Sequence, residues 1–290
     1  MDFRSERVWL IWCDAGILAA ILPLPPCVVH RAFCRLKGVV LTPRLFAPEL
    51  ATEHWTGASI ALGESATHHA VNVLRRRVGD LVELFDGRGT AITARLENVE
   101  KRTAWVAPQE LPRRIPQARL QLHLVQGLAL GDKMDWIVEK AVELGVSRLT
   151  PWRAERCQLK LDPARAEKRL NHWRAVAVAA CMQCGQNWLP QIDRVSDLKE
   201  ALATSGDLLL FGSTDGQDLN NRHLKDFAWD QAQRCSLVIG PESGISDEEL
   251  ALLSAANGQA VRLGPRILRT ETAGMSAIAA IQALAGDWRI

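Results

Sequence analysis

From residue 120 onward the apolar positions switch between two periods. Short apolar runs at 120–126 (LQLHLVQ), 146–152, 208–211, 236–239 and 260–263 read as strands. Between the first two runs, Met134, Ile137, Val138, Ala141 and Leu144 fall on one stripe and predict an amphipathic helix over 132–144, stopped by Gly145. Asp162-Pro163 opens a further long helix, with Asp as N-cap and Pro at the first helical position. Residues 275–284 (MSAIAAIQAL) are apolar on nearly every side, as a buried helix is. Strand and helix alternate throughout, which predicts a parallel sheet covered by helices, an α/β fold. Before residue 120 the pattern differs. Residues 80–86 (DLVELFD), 89–99 and 102–107 read as strands, with Asp86-Gly87 as a turn, and so many short strands suggest a small β-barrel. Residues 65–77 (SATHHAVNVLRRR) predict a short helix ending in three arginines. Residues 107–119 carry three prolines and three arginines with little apolar content. We therefore divide the chain into 41–112, a linker over 113–119, and 120–290.

Residues 1–40 stand apart. An apolar run over 8–29 follows Arg4 and Arg7, as in a signal or anchor segment. Asp14 interrupts it, and Pro23, Pro25 and Pro26 close it near the minimum of about 20 residues that a membrane span needs. Two other readings fit better, a disordered extension or sequence absent from the mature protein, because residue 41 onward reads as complete. Deleting residues 1–40 is expected to leave activity intact.

The 290 residues are 48% apolar and 23% charged, an ordinary globular balance, and the net charge of +2 does not itself announce a nucleic-acid binder. Seven cysteines, an odd number without disulfide-framework spacing, imply a reduced, cytoplasmic compartment.

Two loops carry the chemistry. In 237–250 (LVIGPESGISDEEL) a buried strand ends at Gly240, a Gly-Pro-Glu-Ser-Gly turn follows, and Ser246 with Glu249 forms a capping box. Asp247 and Glu248 in the first turn disfavour a phosphate there, and the chain has no GxxxxGK[ST] motif. The glycines instead let backbone groups approach a neutral purine edge or ribose. The second loop, 263–274 (LGPRILRTETAG), also carries Gly-Pro and precedes the apolar helix, with Thr270 or Thr272 as its expected cap. Ligands of parallel α/β sheets bind outside the carboxyl ends of strands, where both loops lie.

These loops together resemble the cofactor-binding core of the SPOUT-class RNA methyltransferases, and more narrowly the family that methylates N3 of a uridine in the decoding region of 16S rRNA. The stretches GDKMDWIVEKAVELGV (131–146), Glu155-Arg156-Cys157, AACMQCGQN (179–187) and HHAVNVLR (68–75) match as well. The likeness runs from about residue 41 to the end. It implies a trefoil-knotted C-terminal domain that binds S-adenosylmethionine, a PUA-like RNA-binding barrel and a homodimer. It also implies 16S rRNA, within the small ribosomal subunit, as partner; from the residues themselves no metal and no membrane partner are expected. For the cofactor it points to Leu210 and Gly212, to Ile239, Gly240, Pro241, Glu242 and Gly244, and to Leu263, Gly264, Ile267, Leu268, Thr270, Thr272 and Ala273. The catalytic candidates are Arg269, which would stabilise charge developing on uracil O2 or O4 or grip a phosphate, and Glu271, which would cap the helix or orient a ligand. Where the family has Gly-Pro-Glu-Gly-Gly this chain has Ser243 at the fourth position, which is strained if the backbone there needs positive φ.

Arg44, His69, Arg75, Arg76 and Arg77 are candidate RNA contacts, although an arginine run is also an ordinary solvated face. Cys181 and Cys184 form a CxxC without an evident fourth zinc ligand and are read as packing. His123, at an alternate strand position, is read as a satisfied core histidine. Two competing functions remain: a related knotted methyltransferase acting on tRNA or a ribose 2′-OH, and a non-catalytic RNA-binding ribosome-assembly factor.

Overall fold

A computed structural model describes residues 42–48, 59–157, 162–213 and 223–288. The expectations for residues 1–40 lie outside the described residues.

Six short strands build the first sheet: β1 (Arg44–Phe46), β2 (Ile60–Ala61), β3 (Leu81–Phe85), β4 (Thr90–Glu100), β5 (Thr103–Pro108) and β6 (Arg113–Arg114). Their order is β1-β3-β4-β5-β2, with β6 against β4. The Asp86-Gly87 turn joins β3 to β4 as read: the Asp86 carboxylate accepts the backbone N–H of Arg88 and of Thr90, and Gly87 has φ 74°. Leu45, Val82, Leu84, Ile92, Leu96 and Val106 fill the core beneath helix α1 (Glu64–His68).

The helix expected over 65–77 is shorter and changes form. After α1 the chain makes one π turn, His69–Val73, in which the Leu74 N–H reaches the His69 carbonyl. Arg75 then takes a left-handed φ of 54°, so Arg75–Arg77 lie beyond the helix. Packing of Ala66 and Ala70 into the core fixes this corner, and periodicity alone does not encode it.

The second sheet is wholly parallel: β7 (Gln121–Gly127), β8 (Arg148–Trp152), β9 (Gln191–Ile192), β10 (Leu208–Gly212), β11 (Arg234–Ile239) and β12 (Gln259–Val261), in the order β12-β10-β11-β7-β8-β9. Its strands alternate between two cores. Leu122, Leu124, Leu237 and Ile239 pack under α2 (Lys133–Glu143), α3 (Pro163–Cys184) and α6 (Thr270–Ala285). Val125, Leu209, Phe211 and Val238 pack on the other face, with α4 (Leu198–Leu202) and α5 (Asp247–Ala255). Helices on both faces explain why these strands read as nearly continuous apolar runs. The first three strands build outward from β7 on one side and the last three lie on the other. The carboxyl ends of β7 and β11 therefore meet where the strand order reverses.

The helix starts signalled after residue 120 are observed except in one case. Asp162 caps α3 by accepting the Arg165 N–H at 2.8 Å, and Ser246 with Glu249 forms the capping box of α5. Helix α6, however, has Arg269 as N-cap and no side-chain cap. Thr270 is its first residue, its hydroxyl turned elsewhere, and Thr272 is exposed.

Arg44 closes the joint between the two sheets. It pairs with Glu83 at 3.2 Å, hydrogen-bonds Asn187, and lies 4.8 Å over the Phe85 ring. Beside it the Gly89 and Leu189 N–H groups bond to the Asn187 and Gly87 carbonyls. A Cβ at Gly89 would come within 2.5 Å of the Trp188 ring, so that contact requires glycine.

Cys181 is buried in the core, where burial, helped by the nearby Cys184, pushes its thiol up to about 12. No helix among the described residues is long and apolar enough to cross a membrane.

His123 is buried in β7 as a satisfied core histidine. The Thr150 hydroxyl donates to Asp193, so it accepts from His123 Nε2 at 2.8 Å, and Nδ1 faces Ser236 Oγ at 3.2 Å. Burial, and then Arg148, push the imidazole down to about 4 from 6.5, with Asp193 opposing. Below pH 6.5 the unfolded chain takes up a proton that the folded chain refuses. Stability is thus complete above about pH 6.5 and falls as pH drops toward 4, by about 3 kcal/mol at most. Urea unfolding at several pH values checks this: His123→Gln is expected to flatten the slope between pH 6.5 and 4, and an unchanged slope would refute the assignment.

Candidate cofactor site

The first loop, residues 240–244, leaves the end of β11 with two successive carbonyls already taken. Trp152 Nε1 donates to the Ile239 carbonyl at 3.2 Å, and Thr270 Oγ1 donates to the Gly240 carbonyl at 2.6 Å. The end of β7 supports the turn from below. A Cβ on Gly127 would lie 2.4 Å from Pro241 N and 2.8 Å from the Gly240 carbonyl carbon, so only bare backbone fits. The turn closes through the Gly244 N–H on the Pro241 carbonyl at 3.0 Å, and Gly244 supplies the positive φ, 79°. Ser243 does not adopt positive φ, so the strain expected from this substitution is absent.

The second loop runs from the end of β12 to α6. Gly264 has φ 76° with open space beside it, and the Arg262 side chain reaches back to its carbonyl at 3.1 Å. Leu263 and Leu268 are half-buried, whereas Gly264 is exposed and Ile267 is 81% exposed. Thr270 then meets the first loop, and its hydroxyl also accepts a 2.8 Å hydrogen bond from Gln126. The two loops are in direct contact.

A lysine outside both loops ties them a second time. Lys133, at the start of α2, hydrogen-bonds Glu242 at 2.8 Å and stands 3.4 Å from Glu271 Oε2. Glu242 raises the Lys133 ammonium above its ordinary value. Burial opposes ionisation of Glu242, but Lys133 and the backbone N–H groups outweigh it and hold the carboxyl below its ordinary value. Glu271 Oε2 is buried and accepts no hydrogen bond, with Lys133 as its ion-pair partner.

The remaining expected residues divide. Gly212 ends β10, where a Cβ would touch Ile239 at 3.4 Å, and Ala273 packs at the edge of the core. Leu210 and Ile239 are core residues whose side chains pack among apolar neighbours. Arg269 is exposed at the start of α6. A cavity of about 160 Å³ borders the first loop, lined by Leu128, Leu130, Arg156, Cys157, Pro241, Glu242 and Ser243. The sequence reading gave no role to Lys133, Gln126 or Gly127; the GDKMDW stretch was the signal for the first of these. A larger opening of about 740 Å³ lies toward α4 and α5 and touches neither loop; five of its lining residues are acidic: Glu155, Asp162, Asp197, Glu248 and Glu249.

Among the candidate RNA contacts, Arg75 and Arg77 are exposed, while His69 and Arg76 are half-buried. Burial lowers the His69 imidazole, with His68 adding to the effect. Arg44 is engaged within the protein, as described above, which leaves little of it for a phosphate.

Comparison with known proteins bears on this site. Residues 116–282 match the RNA methyltransferase domain family, and residues 62–109 match the RNA methyltransferase PUA domain. The ribosomal RNA small subunit methyltransferase E of Mycobacterium bovis is 32% identical over 241 residues, covering 80% of this chain and 89% of the relative. The chain belongs to the ribosomal RNA small subunit methyltransferase E family. The Bacillus subtilis member is 29% identical over 219 residues, 74% of this chain and 86% of its own. Two solved structures are similar across 85% of this chain and 99% of theirs. One is a Legionella pneumophila methyltransferase in complex with bound S-adenosylmethionine, at 32% identity and TM-score 0.78. The other is the Neisseria gonorrhoeae ribosomal RNA small subunit methyltransferase E bound to S-adenosyl methionine, at 35% and 0.75. The expected fold class, a SPOUT-type parallel α/β sheet with a PUA-like N-terminal unit, is the observed one.

Ser243 and Gly244 should respond unequally to substitution. Ser243→Gly relieves no strain and is expected to leave S-adenosylmethionine affinity within about twofold. Gly244→Ala meets no neighbour but forces a left-handed alanine, at about 1–2 kcal/mol, and should weaken binding roughly tenfold. Isothermal titration of both variants decides; the reverse ranking would refute this turn geometry.

Proposed function

We propose that this protein transfers the methyl group of S-adenosylmethionine to N3 of a uridine in the decoding region of 16S rRNA. The observation that carries the reading is the contact of the two strand-end loops through Thr270 and Gly240. Membership of the ribosomal RNA small subunit methyltransferase E family and the cofactor-bound relatives support it. The residues present fit such a cofactor. Gly244 and Gly264 leave open space beside their α-carbons, and Glu271 Oε2 is a buried acceptor without a hydrogen bond next to a positively charged site partner.

When bound, the cofactor supplies an already activated methyl group, so the protein's task is placement. Residues 240–244 would hold it on one side and residues 263–272 on the other. The base must be unstacked before its pairing edge is reachable. Arg269, exposed at the start of α6, would stabilise negative charge on uracil O2 or O4 as N3 loses its proton. Lys133 is held protonated by Glu242 and serves as a fixed charge rather than a base. In this reading the first sheet binds RNA, with Arg75 and Arg77 as phosphate contacts; because Arg113 and Arg114 pair with β4 as β6, the connection shortens from the expected 113–119 to 115–119, and 120–290 carry the methyl transfer. It extends to a homodimer with a threaded C-terminal trefoil, acting in the cytoplasm on 16S rRNA within the small ribosomal subunit.

Nucleoside mass spectrometry of 16S rRNA from a deletion strain tests the reaction: 3-methyluridine should disappear, and its persistence would refute the assignment. Arg269→Ala is expected to lower turnover about a hundredfold with S-adenosylmethionine affinity nearly unchanged. Normal turnover would show that another group performs this task.

A further inference from the structure

Gln126 is the last residue but one of β7, completely buried, and no role has been given to its side chain. Both of its amide hydrogens are used: Nε2 donates to Thr270 Oγ1 at 2.8 Å and to the Gly127 carbonyl at 3.1 Å. The direction of the chain of bonds is fixed by chemistry. The Gly240 carbonyl can only accept, so the Thr270 hydroxyl must give it its one hydrogen and must accept from Gln126. A buried amide thus reaches the first residue of the cofactor loop through one hydroxyl. Gly127 adds a steric limit, because its bare backbone packs against the Gly240–Pro241 peptide.

We propose that Gln126 is a positioning residue for cofactor binding, acting through Thr270 on the Gly240 carbonyl. The inference rests on the function proposed above. The relay removes alternative orientations of the Gly240 peptide, so that the loop is held in its binding-competent form. Without the relay only a fraction of molecules hold that form, and apparent affinity falls by that fraction. The side chains themselves need not touch the ligand.

The test is isothermal titration with S-adenosylmethionine on the full chain, with thermal melting alongside. Thr270→Val keeps the shape and loses the hydroxyl, Thr270→Ser keeps the hydroxyl, and Gln126→Met keeps the volume and loses the amide. The relay predicts about tenfold weaker binding for Thr270→Val and for Gln126→Met. It predicts near-normal binding for Thr270→Ser, and a double variant little worse than either single one. In turnover assays the KM for the cofactor should rise while the KM for RNA stays unchanged. Lowered melting temperatures with unchanged affinity would make Gln126 merely structural and overturn the proposal, as would additive losses in the double variant. If Thr270→Val does not fold, Gln126→Met against Thr270→Ser decides by the same comparison. Failure of the unsubstituted protein to bind S-adenosylmethionine would overturn the proposed function itself, and this inference with it.

Discussion

One hydroxyl group joins the two halves of the site. Thr270, which the sequence offers as a helix cap, is the first residue of α6, one past its N-cap Arg269. Its hydroxyl instead bonds to Gly240, and α6 begins without a side-chain cap. That bond joins segments 30 residues apart in sequence. Glu271 in the first turn favours the start of α6 through its charge near the helix N-terminus.

The sheet order makes this contact reachable. Because β11 lies directly against β7, the Gly240 turn sits over Gln126 and Gly127. Helix α6 can then pack across both strands, its Gly274 admitting the Gln126 side chain, Leu124 and Ile239 within 3.3–3.7 Å of where a Cβ would stand. Lys133 closes the arrangement from α2 by holding a carboxylate of each loop. The second tie is electrostatic, so it weakens with salt where the Thr270 bond does not.

What the sequence made legible was local. The apolar periods located β3, β4, β5, β7, β8, β10, β11 and β12 and helix α2 to within a few residues but not the short β1, β2, β6, β9 and α4, and Ser246 with Glu249 and Asp162 with Pro163 marked helix starts correctly. Gly240 and Gly264 marked the two loops. What stayed hidden depends on contacts distant in sequence. Lys133 reads as an ordinary residue of an amphipathic helix, and Gln126 as a polar position in a strand. Arg44 reads as a free surface charge until Asn187 and Glu83 are seen around it. The π turn at His69–Val73 is likewise imposed by packing of Ala66 and Ala70 against the first sheet. Ser243 shows the converse case: a rule about glycine raised a strain that the observed backbone places on Gly244 instead.

The central claim is that residues 240–244 and 263–272 form one binding unit. Hydrogen-exchange mass spectrometry with and without S-adenosylmethionine measures this directly, since backbone amides ordered by a ligand exchange more slowly. The account predicts that both segments gain protection together, at the same cofactor concentration. Protection of one segment alone, or of neither while the cofactor binds elsewhere, would contradict it.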